Sequence, residues 1–222
     1  MVLPYGMAGL DGDNAVTSRE RVQAAVAFEP PDALPVHESP WEQTLERWRD
    51  EGLGDEAPAD AFGWDIEMMY LDPSPRFPMK VLERKGGMIT YEDRFGYTCR
   101  KEDGTSSTIH FLSHRNTGPD AWAEMKPRFN LDLSGPARLD ECSYFGHFDS
   151  YPSWAEAREK YDGIRRHGRY ILFMVYGPWE AMWRHRGMSD LLMDVALQQD
   201  WVIDMAETYQ GLVIDVLKHC IA

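Results

Sequence analysis

The 222-residue chain contains little cysteine and no long apolar run. Cys99, Cys142 and Cys220 lie far apart and form no CxxC motif, which argues against a disulfide framework and against a zinc ribbon. We therefore expect buried or incidental thiols in a reducing cytoplasm. No segment approaches the roughly 20 apolar residues that cross a membrane, and the N-terminus lacks the basic and apolar regions of a signal peptide. These absences favour a cytoplasmic protein without a membrane partner.

Positive charge is also scarce. The chain has 23 Lys and Arg against 37 Asp and Glu, a formal net charge of −14, which argues against nucleic acid as a partner. The phosphate-binding motifs GxxxxGK[ST] and GxGxxG and the nucleophile elbow are missing, so nucleotide-dependent and serine-hydrolase activities have no support. Apolar residues make up 43% of the chain, with 8 Trp, which is enough for one sizeable core.

The N-terminal region divides into an arm and a helix. Residues 1–16 are rich in Gly and Asp without periodicity, which indicates a flexible arm. Thr17 and Glu20 have the spacing of a capping box, so a helix is predicted from Ser18 to Phe28, where two prolines follow. The domain proper is expected to span 17–222.

Short apolar strands then alternate with amphipathic helices. Strands are predicted at 34–37, 66–71 and 170–176. Helices are predicted at 41–52 and 155–167, after a cap at Ser189, and along the C-terminal stripe that begins at Trp201. This alternation indicates an α/β fold with parallel strands.

A segment of different character interrupts the alternation at about 78–153. Strand candidates at 80–84, 88–91 and 97–100 are separated by short glycine-containing turns, a spacing typical of antiparallel hairpins. The stretch 103–153 has no clear period beyond one short helix near Trp122, as expected of a lid, a binding loop or an interface segment. We interpret the whole segment as an insertion.

Three segments resemble the uroporphyrinogen decarboxylase superfamily, which also contains corrinoid and coenzyme M methyltransferases. They are TSRERVQAAVAFEPPDALPV at 17–36, FGWDIEMMYLD at 62–72 and ILFMVYGPWE at 171–180. The resemblance runs from about residue 17 to 221 and covers about the first half of a family member. It implies the N-terminal half of a TIM (β/α)8 barrel with an antiparallel β-hairpin insertion, in an apparently truncated chain.

The resemblance also selects candidate site residues, because active sites of such barrels lie at the C-terminal ends of the strands. Asp72 takes the place of the family's catalytic aspartate, which faces the substrate pyrroles. The predicted catalytic residues are Asp72 and His37. The predicted substrate-binding residues are Glu38, Arg76, Tyr176, Trp179 and Glu180. No metal ligands are predicted.

Several candidates also have a structural interpretation. Asp72 precedes a proline and could simply cap the turn with its carboxylate. His37 could be structural or solvent-facing, since adjacent strand residues such as His37 and Glu38 point to opposite faces. Trp179 could plug the core. The basic run 184–186 could receive a carboxylate or phosphate, but a solvated helix end is the default expectation.

Two departures from the family pattern indicate a divergent substrate. His37-Glu38-Ser39-Pro40-Trp41 stands where the decarboxylases carry an Arg-Gln-Ala-Gly-Arg motif for the substrate carboxylates. The tyrosine that follows the Pro-Trp turn in the decarboxylases also has no match, since Trp183 or Arg184 occupies that neighbourhood.

By resemblance, the expected activity is decarboxylation of a tetrapyrrole-like or other carboxylated small molecule, as in porphyrin metabolism, without a cofactor. One alternative is a methyltransferase of the same superfamily, which would need zinc and a corrinoid. A second is a non-catalytic binding module or an inactive fragment. An open sheet edge after the third strand predicts a homodimer or binding to a complementary barrel half.

Overall fold

The computed structural model describes residues 16–105, 107–140 and 150–221. Except for Val16, the predicted N-terminal arm lies outside these residues, as does Cys142. Helices are α1 (Ser18–Val26), α2 (Glu42–Trp48), α3 (Pro58–Ala61), α4 (Pro119–Met125), α5 (Trp154–Arg166), α6 (Pro178–Arg186), α7 (Met188–Leu197) and α8 (Gln199–Ile221). Strands are β1 (Ile66–Leu71), β2 (Lys80–Lys85), β3 (Met88–Glu92), β4 (Tyr97–Glu102), β5 (His110–His114), β6 (Leu139–Asp140) and β7 (Tyr170–Met174). The fold is mixed α/β.

The chain divides into two compact units. Of the described residues, unit 1 contains 16–69 and 155–173, and unit 2 contains 70–105, 107–140, 150–154 and 174–221. Unit 1 buries mainly small or aliphatic side chains, among them Val22, Met69 and Ile164.

The first helix of unit 1 begins as predicted. The Thr17 hydroxyl accepts a hydrogen bond from the Glu20 amide at 3.2 Å, and the Glu20 carboxylate accepts from the Thr17 amide at 2.8 Å. This reciprocal arrangement is a capping box and satisfies two backbone donors at the helix start. The helix ends at Val26, two residues before the predicted end, and Phe28 adopts a positive φ of 59°.

The predicted strand at 34–37 is wrong, because these residues belong to no strand. Pro35 has no amide hydrogen to contribute to a ladder. The segment is fixed instead by the Asp65 side chain, whose carboxylate accepts from the Val36 amide at 2.8 Å. The Asp65 amide in turn donates to the Val36 carbonyl at 2.7 Å.

The Asp65 carboxylate also forms an ion pair with the Arg21 guanidinium, and it is the central polar group of unit 1. Arg21 donates to Asp65 at 2.5 Å and to the more exposed Asp32 at 2.8 Å. Because Asp65 is almost fully buried, its charge depends on these partners for compensation. α1, residues 32–36 and the start of β1 are therefore joined through one carboxylate.

Unit 2 contains a four-stranded antiparallel sheet with the order β2-β3-β4-β5. The predicted hairpins are therefore confirmed. Gly86 and Gly87 form the first turn with φ of 59° and 74°, a pair of positive values that the tight type I′ hairpin turn requires. The fourth strand, β5, was not predicted, because polar and apolar residues do not alternate along its sequence HFLSH.

A second sheet has the strand order β6-β1-β7. β1 has the predicted bounds, and β7 ends two residues earlier than predicted. Within unit 2, Tyr70 and Leu71 pair antiparallel with Asp140 and Leu139. Seven strands in two open sheets form no closed barrel in the described residues.

The helices of unit 2 pack on a core of sulfur-containing and aromatic side chains. Its buried members are Trp122, Met125, Met182, Leu191 and Met205. The predicted α8 stripe is confirmed, since Met205, Tyr209, Leu212 and Val216 are buried. Across the described ranges, none of the helices combines the length and the apolar character that crossing a bilayer requires.

The predicted cap at Ser189 is wrong, because the N-cap of α7 is Gly187, two residues earlier. Gly187 ends α6 and precedes α7 with a φ of 92°. A Cβ at this position would lie 3.0 Å from Cδ2 of His114, so glycine is required both by conformation and by space. Ser189 consequently falls inside the first turn of α7.

We predict that Asp65→Asn lowers the free energy of unfolding by about 2 to 4 kcal/mol, since Arg21 would lose a buried charge partner. Asp32→Asn is the matched control and should cost no more than about 1 kcal/mol, because that pair is partly solvated. Urea unfolding followed by tryptophan fluorescence measures both. Equal losses for the two variants would contradict the central position of Asp65.

Candidate functional site

Asp72, the first predicted catalytic residue, directly follows β1 in unit 2. Its Oδ1 accepts hydrogen bonds from the Ser74 amide at 3.0 Å and from the Ser74 hydroxyl at 2.6 Å. This is the turn-capping geometry of an Asx residue. The Asp72 carboxylate is fully buried, so its second oxygen must also be compensated.

Arg76 provides that compensation. Its Nε donates to Asp72 Oδ2 at 2.6 Å, while its two terminal nitrogens donate to the carbonyls of Pro136 at 2.9 Å and Ala137 at 2.5 Å. Arg76 adopts a φ of 54°, a left-handed conformation that is uncommon for a long side chain. Its side chain keeps 27% exposure. The structure thus joins the predicted residues Asp72 and Arg76.

Two further arginines converge on the same turn. Arg94 lies 3.5 Å from Asp72 Oδ2 and pairs more closely with the buried Asp140. Arg138 donates to the carbonyl oxygens of Asp72 at 3.1 Å and Ser74 at 2.8 Å.

We call these five residues, Asp72, Arg76, Arg94, Arg138 and Asp140, the Asp72 cluster. It combines three guanidiniums with two carboxylates, and its arginines also interact with carboxyl groups outside it, Arg94 with Asp93 and Arg76 with Asp132. Interactions of partly buried charges are weakly screened, so a partly exposed guanidinium here can pair with an anion although the chain as a whole is acidic. Arg76 is the member that combines the network with solvent access.

The charged side chains of the Asp72 cluster shift one another's pKa values. Burial alone would raise the pKa of Asp72, but the charges of Arg94, Arg76 and Arg138 outweigh it and lower the pKa. Burial raises the pKa of Asp140, and the nearby Asp72 charge acts in the same direction. Burial lowers the pKa of Arg138 to about 10. Asp72 is therefore the carboxylate that stays ionised most firmly.

A second polar group surrounds Arg184, which is 1% exposed. The guanidinium donates to the Tyr176 hydroxyl at 2.6 Å and to Glu180 at 3.0 Å, and its carbon lies 4.2 Å from the centroid of the Tyr176 ring. The predicted residues Tyr176 and Glu180 are thus joined through Arg184. Both the hydroxyl and the ring of Tyr176 therefore contact Arg184, and the ring contact is a cation–π interaction inside the protein.

The expectation of a solvated helix end at 184–186 is wrong for two of its three residues. Arg184 and His185 are buried. The His185 ring stacks on Trp122 at a centroid distance of 5.5 Å and contacts the Asn116 amide at 3.0 Å. Burial lowers the pKa of His185 to about 3, so the ring is a neutral core component.

Asp93 lies in the turn between β3 and β4 and is fully buried. Its Oδ1 accepts from the Phe95 amide at 2.7 Å. Burial raises the pKa of Asp93 to about 6, although the Phe95 hydrogen bond and the charges of Arg94 and Arg184 act in the opposite direction. A carboxyl with this pKa exchanges its proton near neutral pH, as an acid or base in catalysis must.

The predicted residues of unit 1 have a different environment. His37 lies outside any strand, and its Nδ1 is 2.9 Å from the Ile66 carbonyl, which fixes Nδ1 as the protonated nitrogen. Its buried Nε2 has no hydrogen-bond partner among the described residues. The exposed Glu38 accepts from the Ser39 amide at 2.9 Å. Trp179, in unit 2, is 40% exposed and does not plug the core.

Sequence reasoning missed Arg94, Arg138, Asp140 and Asp93. The turn around Arg94 was recognised, but only as a hairpin connection. Arg94 is separated from Asp140 by 46 positions and Arg138 from Asp72 by 66, and no local periodicity links residues so far apart. Asp and Arg are frequent in segments that are otherwise rich in apolar strand residues. This could have served as a signal for the site, because charged side chains in buried segments require partners.

The described residues contain no group of three His, Cys, Asp or Glu side chains placed to hold a metal ion. What the arrangement offers is guanidinium groups, a firmly ionised carboxylate and a carboxyl that titrates near neutrality. Among these groups, the partly exposed guanidinium of Arg76 suits the binding of a carboxylated molecule.

We predict that Asp93 makes unfolding stability depend on pH in a direction opposite to ordinary ion-paired aspartates. Since its pKa is raised from 3.8 to about 6, its contribution is complete below about pH 4 and is lost as pH rises through 6. The wild-type protein should therefore lose about 2 kcal/mol relative to Asp93→Asn between pH 4 and 8. Urea unfolding at several pH values measures this difference, and parallel stability curves would contradict it.

Comparison with protein-family models, with curated proteins and with solved structures finds no match to this chain.

Proposed function

We propose that this protein binds a carboxylated small molecule and decarboxylates it, on the first half of a uroporphyrinogen-decarboxylase-like (β/α)8 barrel. The observation that supports this most strongly is the Asp72 cluster. It places three guanidinium groups around the end of β1, and the one of Arg76 is partly accessible to solvent. The sequence resemblance points to a tetrapyrrole-like substrate, which carries several carboxylates.

Arg76 is the substrate-binding residue in this proposal. Its hydrogen bonds to described residues use three of the five N–H donors of a guanidinium. The remaining donors lie on a side chain with 27% exposure and can bind a carboxylate oxygen of the substrate. Because the Asp72 and carbonyl contacts hold the guanidinium in place, little conformational entropy is lost when the substrate binds.

Asp72 is a positioning residue in this arrangement. Its carboxylate is occupied by Ser74 and Arg76, so it acts on the substrate through the orientation of Arg76. In the chemical step the bond between the substrate carboxylate and its neighbouring carbon breaks, and CO2 leaves. The bonding electrons remain on that carbon, which then takes a proton from solvent. Binding of a second substrate carboxylate at Arg76 would fix the reacting group in place.

The protein should bind uroporphyrin, an octacarboxylate, and should bind its octamethyl ester at least tenfold more weakly, because the ester has no charge for Arg76 to pair with. Arg76→Gln and Arg76→Lys should both weaken uroporphyrin binding about tenfold, since Lys keeps the charge but lacks the planar fork. Arg84→Gln is the matched control, because Arg84 is exposed on β2 and pairs with Asp103. Titration of the porphyrin absorbance band measures the affinity of the wild-type protein for the acid and the ester, and the affinity of each variant for the acid.

Activity is tested by incubating the protein with uroporphyrinogen under anaerobic conditions and separating the products by carboxylate number. Loss of carboxylates with wild-type protein and a reduced rate with Arg76→Gln would support the proposal. Equal binding of acid and ester would contradict carboxylate recognition. Selective binding of the acid without any CO2 release would contradict the decarboxylase assignment and favour a binding module.

A further inference from the structure

Phe77, in unit 2, has two arginine side chains on its ring. The guanidinium carbon of Arg128 lies 4.4 Å from the ring centroid, and that of Arg115 lies 4.9 Å from it. Both distances are within the range of a cation–π interaction. The two arginines are exposed, and Phe77 is half-buried. One aromatic ring therefore holds two cationic side chains at the surface of the protein.

Backbone contacts fix the ring and one of the arginines beside the β3–β4 turn. The Phe77 amide donates to the Arg94 carbonyl at 3.0 Å, and the Arg115 amide donates to the Gly96 carbonyl at 2.7 Å. Gly96 has a φ of 87° and approaches the Phe77 ring so closely that a Cβ would lie 3.0 Å from Cδ2. Arg128 comes from another segment, where it ends the short 3₁₀ turn that follows α4. The pair of arginines is therefore assembled by the tertiary structure.

The two guanidinium groups are close enough to bind one ligand together. Because both distances are measured to the same centroid, the two guanidinium carbons are at most about 9 Å apart. Hydrogen bonds of about 2.9 Å from each guanidinium to oxygens of one tetrahedral anion span a gap of this size. A contact with an aromatic ring does not use the N–H donors that lie in the guanidinium plane.

Most of these donors are available. In the part of the chain that the structure describes, the Arg128 guanidinium takes part in no hydrogen bond or ion pair. Arg115 donates to Glu92 at 3.2 Å through one terminal nitrogen, and the two side chains keep 50% and 28% exposure. An exposed pair of this kind contributes about 1 kcal/mol or less, so an anion with more charge can compete with Glu92.

We propose that Arg115 and Arg128, held by the Phe77 ring, form a binding site for the phosphate group of a small phosphorylated molecule. A phosphate monoester carries roughly two negative charges at neutral pH, and its terminal oxygens point in several directions, so it can accept from both guanidiniums at once. A carboxylate has one charge and two oxygens in one plane, which a single guanidinium satisfies. The site includes neither Arg76 nor Asp72, and the proposal does not rest on decarboxylation.

The acidity of the chain restricts the ligand to a small one. The formal net charge of −14 repels anions over long distances, but at physiological ionic strength exposed charges more than about 8 Å apart are largely screened. A nucleic acid or an anionic membrane would contact a wide area of this acidic protein and would be repelled. A single phosphate group contacts only the side chains at the site.

The test titrates the full chain with phenyl phosphate at constant ionic strength and about pH 7.5, where the monoester is doubly charged. The Nε–Hε signals of Arg115 and Arg128 in 1H–15N NMR spectra should shift together and give the same affinity. Benzoate, which has the same ring and one charge, should bind at least fivefold more weakly. Equal affinities for the two probes, or shifts spread over all exposed arginines, would overturn the proposal.

Inorganic phosphate separates recognition of the phosphate group from recognition of the phenyl ring. It should shift the same two arginine signals as phenyl phosphate. A response to phenyl phosphate without any response to inorganic phosphate would assign binding to the ring and contradict a phosphate site.

Variants locate the site. Arg115→Gln and Arg128→Gln should each weaken phenyl phosphate binding at least fivefold, since each removes one of the two cationic partners. Arg84→Gln is the matched control, because Arg84 is also exposed and paired with a carboxylate, and its loss changes the net charge equally. Circular dichroism verifies that each variant is folded. Equal weakening by all three substitutions would show attraction by net charge alone and overturn the proposal.

Glu92 leads to a prediction of opposite sign. Glu92→Gln removes the carboxylate that competes for Arg115 and should strengthen phenyl phosphate binding about threefold. Glu83→Gln removes the same charge from the exposed β2 and should leave the affinity unchanged. An unchanged affinity with Glu92→Gln, or an equal gain with both substitutions, would contradict the placement of the phosphate at Arg115.

Discussion

The Asp72 carboxylate is buried, and its burial constrains the surrounding structure. Moving a carboxylate out of water costs several kcal/mol even after relaxation, so every oxygen must find donors or positive charge. Ser74 and Arg76 provide the donors, and Arg94 and Arg138 add charge from other segments. The Asp72 charge therefore links three parts of unit 2, namely the end of β1, the β3–β4 turn and the region of β6.

This constraint also shapes the chemistry. A guanidinium that is fixed by a carboxylate and two carbonyls is ready for a ligand before the ligand arrives. The left-handed backbone of Arg76 is a conformation that must be compensated elsewhere, and the hydrogen bonds of its side chain do so. The same arginines keep Asp72 ionised, whereas Asp93, with less compensation, takes up a proton near pH 6. Two aspartates of one unit thus differ in charge because their neighbours differ.

Local patterns predicted the elements whose signals are local. The capping box at Thr17, the bounds of β1, the Gly86-Gly87 turn and the buried stripe of α8 were all predictable from spacing. The strand at 34–37 failed because apolar composition suggested a ladder, while Pro35 and the Asp65 side chain produced a different pairing.

The candidate site was predictable only in part, since its partners are distant in sequence. Asp72 and Arg76 are four positions apart and were both selected, but the arginines that complete the cluster come from residues 94 and 138. Arg184 shows the same limit. A basic run suggested solvent, whereas three-dimensional contacts with Tyr176 and Glu180 bury its charge. Burial of charge depends on tertiary contacts that periodicity does not encode.

The most direct test of this account is the pKa of the Asp72 carboxyl, measured by NMR from its side-chain carbon shift during titration. Burial opposes ionisation of Asp72, and the charges of Arg94, Arg76 and Arg138 overcome it. The pKa of Asp72 should therefore lie below that of an ordinary aspartate and should rise when Arg76 is replaced by Gln. A pKa of Asp72 at or above the ordinary value, unchanged by that replacement, would contradict the arginine-centred site.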